Sequence, residues 1–92
     1  MEDKFVIKAL AALAQAHRLV IFRSLVVKGR DGLTPAHLAE ILGMPANTLS
    51  FHLKELLNAD LIRMSRRPLL HKAYCRFWRV FWRRGVFKAL MR

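Results

Sequence analysis

Four stretches of helical periodicity precede residue 59. From about Lys4 to Ala14, Phe5, Val6, Leu10 and Leu13 recur at helical spacing with helix-favouring alanines between them, which predicts a first helix. A second is expected from about His17 to Lys28, with Leu19, Phe22, Leu25 and Val26 on one face. Gly29 is placed to stop it, and Arg30-Asp31-Gly32 is turn chemistry. The third has the clearest start: Thr34 as N-cap and Pro35 at the first helical position, where its missing N–H does no harm. Its apolar face is Leu38, Ala39, Ile41 and Leu42, and Gly43 ends it. After the short Met44-Pro45 turn a fourth helix runs from about Ala46 to Asn58, with Leu49, Leu53, Leu56 and Leu57 as its buried face. Asn58-Ala59-Asp60 breaks the pattern, and Leu61 to Met64 reads as one short strand.

Two short helices joined by a tight glycine-containing turn suggest a helix-turn-helix. Ala39 lies four residues before Gly43 and Leu49 six after it. The small side chain lets the helices approach, the glycine accepts a positive φ, and the leucine anchors the second helix. On the opposite face, Asn47, Ser50, Phe51 and Lys54 share an outward stripe. Asparagine can pair with adenine, serine and lysine can hold phosphates or base edges, and phenylalanine can touch a thymine methyl. A solvated face on an ordinary helical bundle is the competing reading. The spacing and the charge of the chain favour DNA recognition.

That charge is large: 17 Lys and Arg against 6 Asp and Glu give +11 over 92 residues. Such a surplus favours a polyanionic partner, either nucleic acid or an acidic membrane surface. It is also unevenly placed. Residues 1–65 carry eight basic and six acidic side chains, whereas residues 66–92 carry nine basic and none acidic, with six of the nine aromatics. The length fits one hydrophobic core and excludes an enzyme with a deep interdomain cleft. At 54% apolar the chain should fold, yet no apolar run approaches a membrane span and the start lacks a signal-peptide layout. A single cysteine, Cys75, excludes a disulfide within the chain, argues against a cysteine metal site and fits a reducing, cytoplasmic setting.

The runs ALAALAQAHRLVIFRSL (9–25) and LTPAHLAEILGMPANTLSFHLKELLNADLI (33–62), above all the Leu-Ser-Phe-His-Leu-Lys-Glu-Leu stretch, resemble the ArsR-type winged-helix repressors over about residues 8–67. The resemblance implies a dimeric bacterial transcriptional repressor whose fourth helix enters the major groove and which releases DNA when a metal, metalloid or other signal binds. The family's metal chemistry does not carry over. Where metalloid sensors place closely spaced cysteines, this chain has Leu33-Thr34-Pro35-Ala36-His37. Where others place Asp, His and Glu on a C-terminal helix, this chain has no acid. No metal and no cofactor is therefore expected. The family's charged hairpin is altered as well: Ser65-Arg66-Arg67 matches its start, but Pro68-Leu69-Leu70 replaces its turn. A strand stub without a paired hairpin is the expectation.

From Leu70 onward Tyr74, Phe77, Trp78, Phe81, Trp82, Val86 and Leu90 step by three and four, with Lys72, Arg76, Arg79, Arg83 and Lys88 on the other face. That pattern predicts a long basic amphipathic helix. The resemblance implies a dimerisation helix that pairs with the first helix; binding to a membrane surface or an acidic partner is the alternative. The four scattered histidines read as surface or capping groups, with His52 beside the reading face and within reach of a phosphate. Cys75, on the basic side of that helix, reads as a plain thiol; redox sensing is the sharper alternative.

The fold class expected is thus mainly α: a winged helix-turn-helix domain at 1–67 with a reduced or absent wing, then a basic amphipathic C-terminal helix at 68–92. The function expected is a sequence-specific, homodimeric repressor on a double-stranded operator. Asn47, Ser50 and Phe51 read bases; Thr48, Lys54, Arg63, Arg66 and Arg67 position the phosphate backbone; and Ala46 opens the reading helix. A basic module that binds membrane or an acidic protein is the alternative. An enzyme is not expected: there is no nucleophile–base pair, carboxylate pair, phosphate-binding glycine loop or small-molecule substrate site.

Overall fold

The computed structural model describes residues 3–65 and 72–77. Four helices, α1 (Asp3–Leu13), α2 (Ala16–Lys28), α3 (Pro35–Leu42) and α4 (Ala46–Asn58), precede two short strands, β1 (Ile62–Met64) and β2 (Ala73–Cys75). The ends of the central helices follow local chemistry. Gln15 caps α2, its Oε1 accepting from the Arg18 N–H at 2.9 Å. Thr34 caps α3, its Oγ1 accepting from the His37 N–H at 3.1 Å, and Pro35 follows as expected. Gly43 ends α3 in the left-handed region, φ 61° and ψ 35°, and its N–H closes back on the Ala39 and Glu40 carbonyls. A Cβ there would meet nothing within 4 Å, so the requirement is for the backbone angle, not for space.

One core joins helices and sheet: Ile21 and Leu25 of α2, Leu38 of α3, Leu49 and Leu56 of α4, Ile62 of β1 and Cys75 of β2 are all fully buried. Each of the four helices expected before residue 59 is present within a residue or two of its expected bounds, but not always with the expected face inward. On α1 the alanines Ala9 and Ala12 are buried, while Val6, Ile7 and Leu10 lie in solvent. On α2 Ile21 is buried and Leu19 only partly so. Ile41 of α3 and Leu57 of α4 are exposed, and His52 occupies the buried row in place of Leu57.

Two expectations are overturned after residue 61. The strand is no unpaired stub: β1 pairs antiparallel with β2 in the register Ile62–Cys75, Arg63–Tyr74 and Met64–Ala73. Pairing extends one step further, the Ser65 N–H donating to the Lys72 carbonyl at 2.8 Å. The helix expected from Leu70 is corrected at Ala73–Cys75, which is strand. Burial decides this. Ala73 and Cys75 are fully buried with Tyr74 between them only partly so, and β2 packs against α2. The connection at 66–71, with the expected altered turn, and the remainder of the expected helix, from Trp78 on, lie outside the described residues.

A third segment joins the sheet. Leu33 exchanges both backbone hydrogen bonds with Ala73, at 2.9 and 2.8 Å, as an isolated antiparallel bridge. Gly32 makes this approach feasible: its φ is +67°, and a Cβ there would lie 2.5 Å from the Ala73 carbonyl oxygen. At the far end of the sheet Asp60, itself at φ 61°, pairs with Arg76 through their side chains. The Arg76 guanidinium lies over both Phe5 (5.7 Å) and Phe77 (5.3 Å), tying the end of β2 to the start of α1.

Candidate nucleic-acid interface

The α3–turn–α4 unit presents one face of α4 to solvent. Its buried row is Leu49, His52, Leu53 and Leu56, at steps of three, one and three. That row turns Asn47, Ser50, Phe51 and Lys54 outward together, and all four are exposed. Ala46 and Thr48 are exposed on the first turn of the same helix. Arg63, the outward residue of β1, is exposed on the hairpin. Arg66 and Arg67 lie outside the described residues. The six α4 residues therefore form one surface, while Arg63 stands on a separate element that follows the helix.

Phe51 is the least expected member of that surface. Its ring is on a helix with a well-filled apolar row, yet the residue is 55% exposed. An aromatic left outward among Asn, Ser and Lys is free to meet an apolar group of a partner, such as a thymine methyl. The one acid of α4, Glu55, follows Phe51 by one helical turn and lies half-buried at the flank of the stripe. Free N–H groups at the start of the helix are not capped by a side chain, because Pro45 precedes Ala46.

His52 is a correction. It is buried, at 6% exposure, and directed inward, so it offers no surface to a phosphate. Its Nδ1 accepts from the Arg18 Nε at 3.4 Å, and its ring lies 5.4 Å from that of His17. Burial holds its pKa below the ordinary 6.5, with the charges of Arg18 and His17 acting in the same direction and Glu55 opposing. The signal was present in the spacing: position 52 follows Leu49 by three and precedes Leu56 by four, squarely on the apolar stripe. His17 and His37 are both exposed beside helix starts, as expected.

Cys75 is the second correction. It lies in a strand, fully buried, and desolvation pushes its thiol up to about 11, against a smaller opposing effect of a backbone hydrogen bond from Phe77. A neutral, inaccessible thiol is the reverse of a redox-sensing cysteine. Among the described residues, no three His, Cys, Asp or Glu side chains come together in a group able to hold a metal ion. Nor is any single helix there long and apolar enough to cross a membrane.

A family model described as a helix-turn-helix domain matches residues 13–65, from the end of α1 to the end of β1. No curated protein matches the chain.

Proposed function

Since the chain belongs to the helix-turn-helix domain family, a family of DNA-binding rather than catalytic domains, we propose that it is a sequence-specific transcriptional repressor of the ArsR type. It acts in the cytoplasm as a homodimer on a double-stranded operator, with α4 in the major groove. The observation that carries this reading is the outward stripe of α4, in which an exposed Phe51 stands among Asn47, Ser50 and Lys54. Asn47, Ser50 and Phe51 contact base edges; Thr48, Lys54, Arg63, Arg66 and Arg67 hold the phosphates on either side, and Ala46 lets the helix start approach the backbone closely. The net charge of +11 supplies the attraction that is common to all sequences. The exposed Val6, Ile7 and Leu10 of α1 support the homodimer, because an apolar stripe of that kind is ordinarily covered by a partner.

Selection of bound duplexes from a randomised library, followed by anisotropy titration of the enriched site at several salt concentrations, tests the reading. Enrichment of a two-fold-related site, with affinity falling steeply as salt rises, is the expected result. Binding to anionic vesicles with no enrichment of any duplex would replace it with the membrane-module alternative.

A further inference from the structure

Arg18, His52 and Phe51 touch one another in a cluster that joins α2 to the reading helix. Arg18, in the first turn of α2, donates from Nε to the His52 Nδ1 at 3.4 Å. Its guanidinium carbon stands 5.9 Å from the centroid of the Phe51 ring. The His52 ring in turn meets Phe51 edge-on, with centroids 5.5 Å apart and planes at 66°. His52 is buried and Arg18 half-buried, and Phe51 is the most exposed of the three. An exposed aromatic on a helix surface has several staggered positions open to it. Here one side of the ring is occupied by a cation and another by an imidazole edge, which favours a single position.

We propose that Arg18 is a positioning residue for DNA reading: bridging His52 and Phe51, it holds the Phe51 ring in the orientation that meets a base. This rests on the reading of α4 given above and extends it to a residue on α2 that faces no base itself. The planar guanidinium suits the task because one edge bonds the imidazole while the delocalised cation stands over the ring. A lysine at the same place has a single donor point and cannot do both. The neutral state of His52 matters as well, since only an unprotonated Nδ1 accepts from Arg18. The charged and titratable groups around that imidazole are His17 and Arg18 of α2 and Glu55 of its own helix, with Lys8 of α1 lining the same small cavity as Arg18 and Glu55.

The test compares base preferences. Duplexes are selected from a randomised library by the full chain and by its Phe51→Ala, Arg18→Met and Phe51→Ala/Arg18→Met variants, with folding followed by thermal melting. Phe51→Ala identifies the base pair that Phe51 reads, through a fall in preference of about fivefold or more at that pair alone. Arg18→Met is expected to lower the preference at the same pair, to leave the pairs read by Asn47 and Ser50 unchanged, and to add nothing in the Phe51→Ala background. Arg18→Lys, which keeps the cation and the stem, is expected to show the same loss in smaller measure, and it decides the matter if Arg18→Met does not fold. Full preference at the Phe51 pair in whichever variant folds overturns the proposal. So does equal weakening on every sequence with the salt slope reduced by about one, which would make Arg18 a phosphate contact. If the unmodified chain enriches no sequence, the reading of α4 fails first. If it enriches one but Phe51→Ala shifts no base pair, the assignment of Phe51 fails, and the positioning role with it.

Discussion

Helices α1 and α4 are both amphipathic and of similar length, 11 and 13 residues, yet they place their large apolar side chains oppositely. On α4 the leucines at 49, 53 and 56 go into the core and most polar residues face out, with Phe51 the most exposed of its large apolar side chains. On α1 the alanines go in, and Ile7 and Leu10 remain 66% and 63% exposed. A helix that buries its small residues and exposes its large ones contributes little to the stability of its own chain and a good deal to any surface that covers it. The contrast separates two kinds of exposed hydrophobe: a continuous aliphatic stripe suited to association, and a lone aromatic within a polar stripe suited to reading a partner.

The sharpest way to break this contrast is by truncation. Ending the chain after Arg67 removes β2, and with it the fully buried Ala73 and Cys75 that cover Ile62 and α2; loss of cooperative thermal unfolding by circular dichroism is expected. Ending it after Phe77 keeps every described element. This product is expected to melt cooperatively and to sediment as a monomer, because the aromatic segment proposed to cover α1 is gone. A dimer of the 1–77 chain would show that α1 suffices as the interface.

Single substitutions sharpen it further. Leu56→Ala should cost about 2 to 5 kcal/mol in denaturant unfolding, as a cavity in the core. Leu10→Ala should cost less than about 0.5 kcal/mol within the chain but weaken self-association on dilution. If the two cost the same, α1 is a core helix after all.

Within α4, Asn47→Ala should lose about 1 to 3 kcal/mol on the selected site and little on random duplex. Lys54→Ala should weaken binding to all sequences alike and flatten the salt dependence by about one unit. Titrations of each variant on both duplexes distinguish them.

The smallest effects are those of pH. His52 has a folded pKa below its unfolded 6.5, so the unfolded chain takes up a proton first. Its contribution to stability is therefore complete above about pH 6.5 and is lost as pH falls through the folded value. Cys75 behaves conversely: its contribution is complete below the unfolded 9.0 and is lost as pH rises through about 11. Melting temperatures measured across this range should decline at both ends, and His52→Gln and Cys75→Ala should each flatten one limb. The Cys75 thiol should also resist a thiol reagent at neutral pH until the chain is unfolded.

The four helices were legible because their signals are local: Thr34-Pro35 for a start, Gly43 for a stop, leucines at helical spacing for a face. The outward stripe of α4 followed from the same periodicity, and all of its expected members are exposed. What escaped depends on contacts distant in sequence. Three-residue strands carry almost no periodicity, and at Ala73 to Cys75 the helical spacing gives way to the pairing of Ala73 with Leu33 and of Cys75 with Ile62. Which of two apolar faces of α1 turns inward is likewise set by its neighbours and not by the helix. His52 was misplaced because residue type was weighed above position. Arg18 gave no signal at all, since its relation to Phe51 crosses from one helix to another.

The bridge between Leu33 and Ala73 also governs the order in which the chain acquires its parts. Its two residues lie forty positions apart, so joining them closes a long loop at an entropic cost of about 3 kcal/mol, whereas the helices form from neighbours within microseconds. Along the chain the whole reading helix precedes the last described strand, which begins at Ala73. A nascent chain halted before Ala73 holds α3 and α4 but leaves the Leu33 amide and carbonyl without their strand partner, and the apolar side of Ile62 uncovered. Docking of β2 is thus the closing event of folding. The slowest-exchanging amide protons should include those of Leu33 and Ala73, whose release requires the entire domain to open.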